Sequence, residues 1–234
     1  MAEEPGVHQE SGYGAVVFDM DGVLVQSEHL WEHMWAAFAA ERGRTWTGTE
    51  TRQVQGMSAP EWAEFLARFS AATESPAETE KLVVNGMIAA LESGEIDLLP
   101  GAERMVTATS ELAPVALASS APRRLIDAVL DRHGLTSRFT ATVSSAEVPR
   151  GKPSPDVYLE AASRLGTEPT ACLAVEDSSN GLRAAAAAKM TVVAIPSPDY
   201  PPAADALAGA RFVATDLDGV RERLVESLTA SLTG

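Results

Sequence analysis

Two carboxylates at alternate positions, Asp19 and Asp21, close the apolar run Ala15-Val16-Val17-Phe18, and Gly22 follows at once. A buried strand that ends in acids is costly unless the acids meet a cation or do chemistry. Gly22 supplies the backbone angles that a sharp exit needs. Taken alone, the stretch reads equally well as a strand running into an Asx-type turn. Three further places repeat the pattern: Ser119-Ser120 after Val115–Ala118, the loop Gly151-Lys152-Pro153, and Glu176-Asp177 after the run Ala171–Val175. Each has a plain alternative as a helix cap, a solvated charge or a turn. Their recurrence at four strand ends favours one shared site, because the carboxyl ends of a parallel sheet lie along a single edge.

The residue types define what such a site can do. Asp19 and Asp177, from different strands, can hold one hard divalent cation through oxygen, as Mg²⁺ is held by one or two carboxylates plus a substrate phosphate. A carboxylate can also serve as a nucleophile and form an aspartyl-phosphate. Asp21 can protonate a leaving oxygen and later deprotonate water. Lys152 answers the negative charge of a phosphoryl group, and Ser119 offers a hydrogen-bond donor.

These groups need elements to position them. Leu30, Met34 and Phe38 recur at helical spacing, with Trp31 and Trp35 widening the stripe. Ser58-Ala59-Pro60-Glu61 and Ser75-Pro76-Ala77-Glu78 are capping boxes, each followed by an apolar face. Residues 28–97 therefore read as an all-helical cap domain set directly after the first strand, with loops between Thr45 and Ser58. Residues 1–27 and 98–234 form the expected core. Strands are predicted near 115–118, 139–143, 171–175, 192–195 and 212–213, alternating with helices. That alternation predicts an α/β, doubly wound, Rossmann-like parallel sheet. Asp216-Leu217-Asp218-Gly219 repeats the first acidic motif, but too few residues follow it to build another site, and it reads as the N-cap of the last helix.

The chain resembles the haloacid dehalogenase-like hydrolase superfamily on four matching segments: Phe18–Leu24 with Ser27-Glu28, Leu117-Ala118-Ser119, Gly151–Asp156 and Val175–Gly181. It looks most like the branch with a helical cap after the first strand, which holds sugar-phosphate phosphatases and β-phosphoglucomutases. The resemblance implies that Asp19 is the nucleophile and Asp21 the general acid/base. It also implies that Ser119, Ser120 and Lys152 hold the phosphoryl group. Mg²⁺ would be bound by Asp19, the Asp21 backbone carbonyl and Asp177, with Glu176 a ligand through water or a carboxylate just behind the metal. The dehalogenases of this superfamily lack the second acid, so Asp21 points to phosphoryl chemistry. The mutases place a histidine where Trp31 stands, and an arginine after a Gly-x-Ser where Gly56-Met57-Ser58 is followed by Ala59. A mutase must grip a second phosphate. Simple hydrolysis is therefore expected, with the mutase as the alternative if Arg52, Arg68, His29 or His33 supplies the missing grip. A binding protein that keeps the fold without the chemistry is a third reading.

Composition bounds the partners. The 234-residue chain carries a formal net charge of −15, a field that repels nucleic acid and anionic membrane surfaces. A small phosphorylated metabolite is the expected partner, and a monomer or weak dimer the expected state. The one cysteine, Cys172, sits in an apolar run and allows no internal disulfide, which fits a cytoplasmic protein. Met1–Gly14 is acidic and polar, reads as a frayed tail, and lacks the features of a secretory signal.

Overall fold

The computed structural model describes residues 12–230. Six strands form one sheet in the order β3-β2-β1-β4-β5-β6: β1 (Ala15–Phe18), β2 (Val115–Ser119), β3 (Ala141–Ser144), β4 (Cys172–Glu176), β5 (Thr191–Ala194) and β6 (Phe212–Val213). Every pairing is parallel. The doubly wound α/β fold expected from the alternation is the fold present. β1 is central, and the chain steps outward from it first through β2 and β3, then through β4 to β6. The crevice for a ligand opens where those two directions part.

Alternation along the strands feeds two core layers. Val16 and Phe18 face one layer with helices α5 (Ala102–Ser110), α6 (Arg123–Arg132) and α10 (Leu217–Ala230). Ala15 and Val17 face the other, with α7 (Asp156–Leu165) and α8 (Ser179–Ala187). A short helix α9 (Ala204–Leu207), absent from the sequence reading, precedes β6. The predicted tail lies almost wholly outside the described residues, and its last member, Gly14, is tied to the core by its N–H to the Ala171 carbonyl at 2.9 Å. Asp216 accepts the Gly219 N–H at 2.8 Å at the start of α10, the capping role read for the second Asp-x-Asp-Gly stretch.

Between β1 and α5 run four helices: α1 (Glu28–Ala40), α2 (Gly48–Val54), α3 (Ala59–Phe69) and α4 (Pro76–Ser93). The boxes at Ser58/Glu61 and Ser75/Glu78 are formed, with Glu61 and Glu78 accepting the Ser58 and Ser75 backbone N–H at 2.8 and 2.9 Å. The expected loop between Thr45 and Ser58 is corrected, because α2 occupies most of it. Thr47 and Glu50 form a third capping box there, with the same Ser/Thr-x-x-Glu signal. Chain exit and return run side by side: Val25 bridges Leu98, and the Leu99 N–H donates to the Leu24 carbonyl at 2.8 Å.

Cys172 on β4 is fully buried, and burial pushes its thiol pKa up to about 11. A buried thiol held in its protonated form is a poor nucleophile. We expect no labelling by a disulfide reagent at pH 8 in the native protein and complete labelling in denaturant. Rapid native labelling would show that β4 opens readily.

Candidate active site

The four predicted strand ends meet at one edge. Asp19 follows β1, Ser119 ends β2 and Glu176 ends β4, while Lys152 reaches in from the loop before α7. The Lys152 ammonium is almost wholly buried and lies 2.8 Å from Asp19 Oδ1 and 2.6 Å from Glu176 Oε1. Burial alone would depress its pKa, but the two carboxylates more than offset this and keep it charged. The Asp19 carboxyl moves the other way. Burial pushes it well above the usual range against the pull of Lys152, and Glu176 and Asp21 add to the rise.

Glu176 is saturated by protein donors. Its Oε1 accepts from Lys152 and from the Tyr158 hydroxyl at 2.9 Å. Its Oε2 accepts the Asp177 N–H at 3.0 Å and both the N–H and hydroxyl of Ser178 at 3.1 Å. It therefore fixes Lys152. Tyr158 carries no signal in the sequence, since its role depends on α7 docking beside β4.

Asp19, Glu176 and Asp177 each offer a carboxylate oxygen, all within 4.8 Å of one another. Burial first, then Glu176, Glu28 and Asp19, push the Asp177 carboxyl well above its usual range. Glu28, quoted in the first motif but assigned no role, lies against Asp177, and burial raises its pKa too. Gly22, at φ +76°, leaves room for both acids, for a Cβ there would collide with Asp177 Oδ2 and Glu28 Oε1. Buried carboxylates that repel one another around a space kept free by a glycine fit a hard divalent cation. Asp19 and Asp177 are the residues that could hold it.

Asp21 stands at the cavity side of the same turn, fixed from the helical insert. The Ser27 hydroxyl and the Trp31 indole N–H both donate to Asp21 Oδ1, the latter at 2.9 Å, and the Ser119 hydroxyl lies 3.5 Å from Oδ2. Ser119 Oγ also accepts the Ala121 N–H at 3.0 Å. Ser120, expected beside the phosphoryl group, donates to the Gly56 carbonyl at 2.9 Å while lining the cavity. The Asn180 amide donates to the Gln55 carbonyl at 2.7 Å. Ser120, just after β2, and Asn180 of α8 thus clasp the Gln55-Gly56 corner of the insert over the site.

The cavity between them encloses about 690 Å³, its open mouth included. Asp19, Asp21, Lys152 and Asp177 line its floor, and Trp31, Trp35, Trp62, Val54 and Met57 line the insert side. None of the four residues held in reserve for gripping a second phosphate lines it. Arg52, Arg68, His29 and His33 are all exposed, and Trp31 is engaged with Asp21.

This arrangement has close relatives. The haloacid dehalogenase-like hydrolase profile matches residues 13–189. Hexitol phosphatase B of Escherichia coli (strain K12) is 34% identical over 191 residues, 79% of this chain and 84% of that protein. The bifunctional riboflavin kinase/FMN phosphatase of Arabidopsis thaliana is 34% identical over 187 residues, 78% of this chain, which spans only 48% of that longer protein. The crystal structure of CbbY from Rhodobacter sphaeroides in complex with phosphate superposes with a TM-score of 0.77 at 25% identity, covering 88% of this chain and 95% of that one. With the parallel sheet, the acids at its edge and the matched sequence in agreement, the chain belongs to the haloacid dehalogenase-like hydrolase family.

Proposed function

We propose that this protein is a Mg²⁺-dependent phosphomonoester hydrolase that acts on a small phosphorylated metabolite, a sugar phosphate, through an aspartyl-phosphate on Asp19. The observation that carries the reading is the buried Asp19–Lys152–Glu176 ion-pair chain beside Asp177, at the floor of the cavity. A phosphatase named for a hexitol among the relatives supports the substrate class.

In this reading Asp19 attacks phosphorus, the phosphorus–oxygen bond to the leaving group breaks, and Asp21 gives that oxygen its proton. Asp21 then takes a proton from water, whose oxygen attacks the phosphorus and frees Asp19. Ser27 and Trp31 hold Asp21 where it can do both. Lys152 answers phosphoryl charge, while Ser119 and Ser120 supply hydroxyls nearby. Asp19, the Asp21 carbonyl and Asp177 would hold Mg²⁺, which would supply positive charge to offset carboxylate repulsion and to attract the phosphoryl oxygens. Residues 28–97 act as a cap that excludes bulk water from a core of residues 1–27 and 98–234. A mutase is disfavoured because Lys152 is the one cation lining the cavity among the described residues.

The test is phosphate release from p-nitrophenyl phosphate and a panel of sugar phosphates, with thermal melting alongside. Hydrolysis should stop with EDTA and return with Mg²⁺. A cation at a hundred times its Kd stabilises a fold by about 2.7 kcal/mol, roughly 5–10 °C in Tm for a chain of this size. Turnover that survives EDTA together with a melting curve indifferent to Mg²⁺ would remove the metal from the reading.

A further inference from the structure

We propose that the cavity selects monophosphates of uncharged alcohols that present an apolar ring face, and rejects substrates bearing a second anionic group. This rests on the phosphatase reading above and names what that site accepts.

The walls carry the argument. Trp31, Trp35 and Trp62 pack as one aromatic surface, with centroids 5.7 Å apart for Trp31–Trp35 and Trp31–Trp62 and 6.0 Å for Trp35–Trp62. Trp46 backs Trp35 at 5.9 Å. Trp31 is also the donor to Asp21. The residue that orients the acid is therefore part of the wall, and the leaving group that Asp21 protonates must lie close to indole. Ring faces bind there by apolar contact and stacking. Trp35 also carries a buried indole N–H with no partner among the described residues.

Charge supplies the exclusion. Asp19, Asp21, Glu28 and Asp177 line the cavity against the single ammonium of Lys152, and that ammonium is already committed to Asp19 and Glu176. Arg42 pairs with Glu74 and lies over the Phe38 ring, and it does not line the cavity. A second phosphate or a carboxylate on the leaving group would enter without a partner and face Asp21 and Glu28. Like charges so placed disfavour binding.

The experiment compares kcat/KM for matched pairs: a hexose 6-phosphate against the hexose 1,6-bisphosphate, and a nucleoside 5′-monophosphate against the nucleoside 3′,5′-bisphosphate. Phosphocholine is the cationic arm. The two pairs separate a sugar face from a base as the ring that binds. We expect the better ring monophosphate to exceed its bisphosphate partner by about tenfold or more and to exceed phosphocholine. Gln55→Arg, which adds a cation to the wall, should narrow the mono-to-bisphosphate ratio. Equal use of both members of the better pair, or preference for phosphocholine, would overturn the proposal.

p-Nitrophenyl phosphate hydrolysis reports the phosphatase reading separately. If it fails, the affinity of an Asp19→Asn variant for each pair is read from tryptophan fluorescence. All four tryptophans of the chain line or back the cavity, so binding registers without turnover. Bisphosphate binding as tight as monophosphate would overturn the proposal on that readout as well.

Discussion

Asp19→Asn is expected to lower phosphate release by roughly 10⁴-fold or more, the scale seen when an enzyme loses its nucleophile, while the protein stays folded. The amide keeps the shape of the carboxylate but cannot attack phosphorus. Stability should hold for an electrostatic reason. Burial is the largest influence on Asp19 and disfavours its charge, and the nearby Glu176 and Asp21 disfavour it further. A neutral side chain relieves all of that. Lys152 does not become an orphan, because Glu176 remains 2.6 Å from its ammonium. The measurement is kcat on the best substrate of the panel, with melting as the control for folding. Residual turnover within tenfold of the parent would sink Asp19 as nucleophile.

Gly181→Ala should be strongly destabilising, although it places a better helix former inside a helix. Gly181 is the third residue of α8, and a Cβ there would collide with the Glu176 carboxylate. The propensity gain is about 1 kcal/mol. Against it stand about 1–3 kcal/mol for overpacking and about 3–5 kcal/mol if a buried ion pair is broken. The carboxylate cannot swing aside cheaply, for five donors from Lys152, Tyr158, Asp177 and Ser178 hold it. With the pair broken the clash wins by about 3–7 kcal/mol, roughly 6–28 °C in Tm, and kcat falls because Lys152 loses its seat. Gly219→Ala is the matched control. Gly219 is the third residue of α10, and its Cβ would approach Asp216 Oδ1 no closer than 3.4 Å. It should gain about 0.5–1 kcal/mol. Equal effects at the two positions would show that the Glu176 carboxylate is not the obstacle.

Much of the architecture was legible because it is local. Short apolar runs with helices between them predict parallel strands, and all six predicted strands are present with ends shifted by no more than two residues. The capping boxes at Ser58 and Ser75 work because their partners are three residues apart, within reach of a single turn. The box at Thr47 had the same spacing. It gives no helix signal by itself because α2 is only seven residues long and Val54 is its one apolar side chain, so no apolar stripe accompanies the cap.

The acids, the serines and the lysine at the sheet edge could be named from the sequence because strand ends in a parallel sheet share an edge whatever their separation along the chain. What the sequence could not contain is how each helix is rotated when it docks. That rotation turns the Trp31 indole towards Asp21, brings the Tyr158 hydroxyl to Glu176, and leaves Arg52, Arg68, His29 and His33 in solvent. A helix presents a different face every hundred degrees, so spacing states which residues share a face and only packing states what that face meets. The chemistry available to this protein was written along the chain, whereas the company each reactive group keeps was decided by the three-dimensional fit of insert to core.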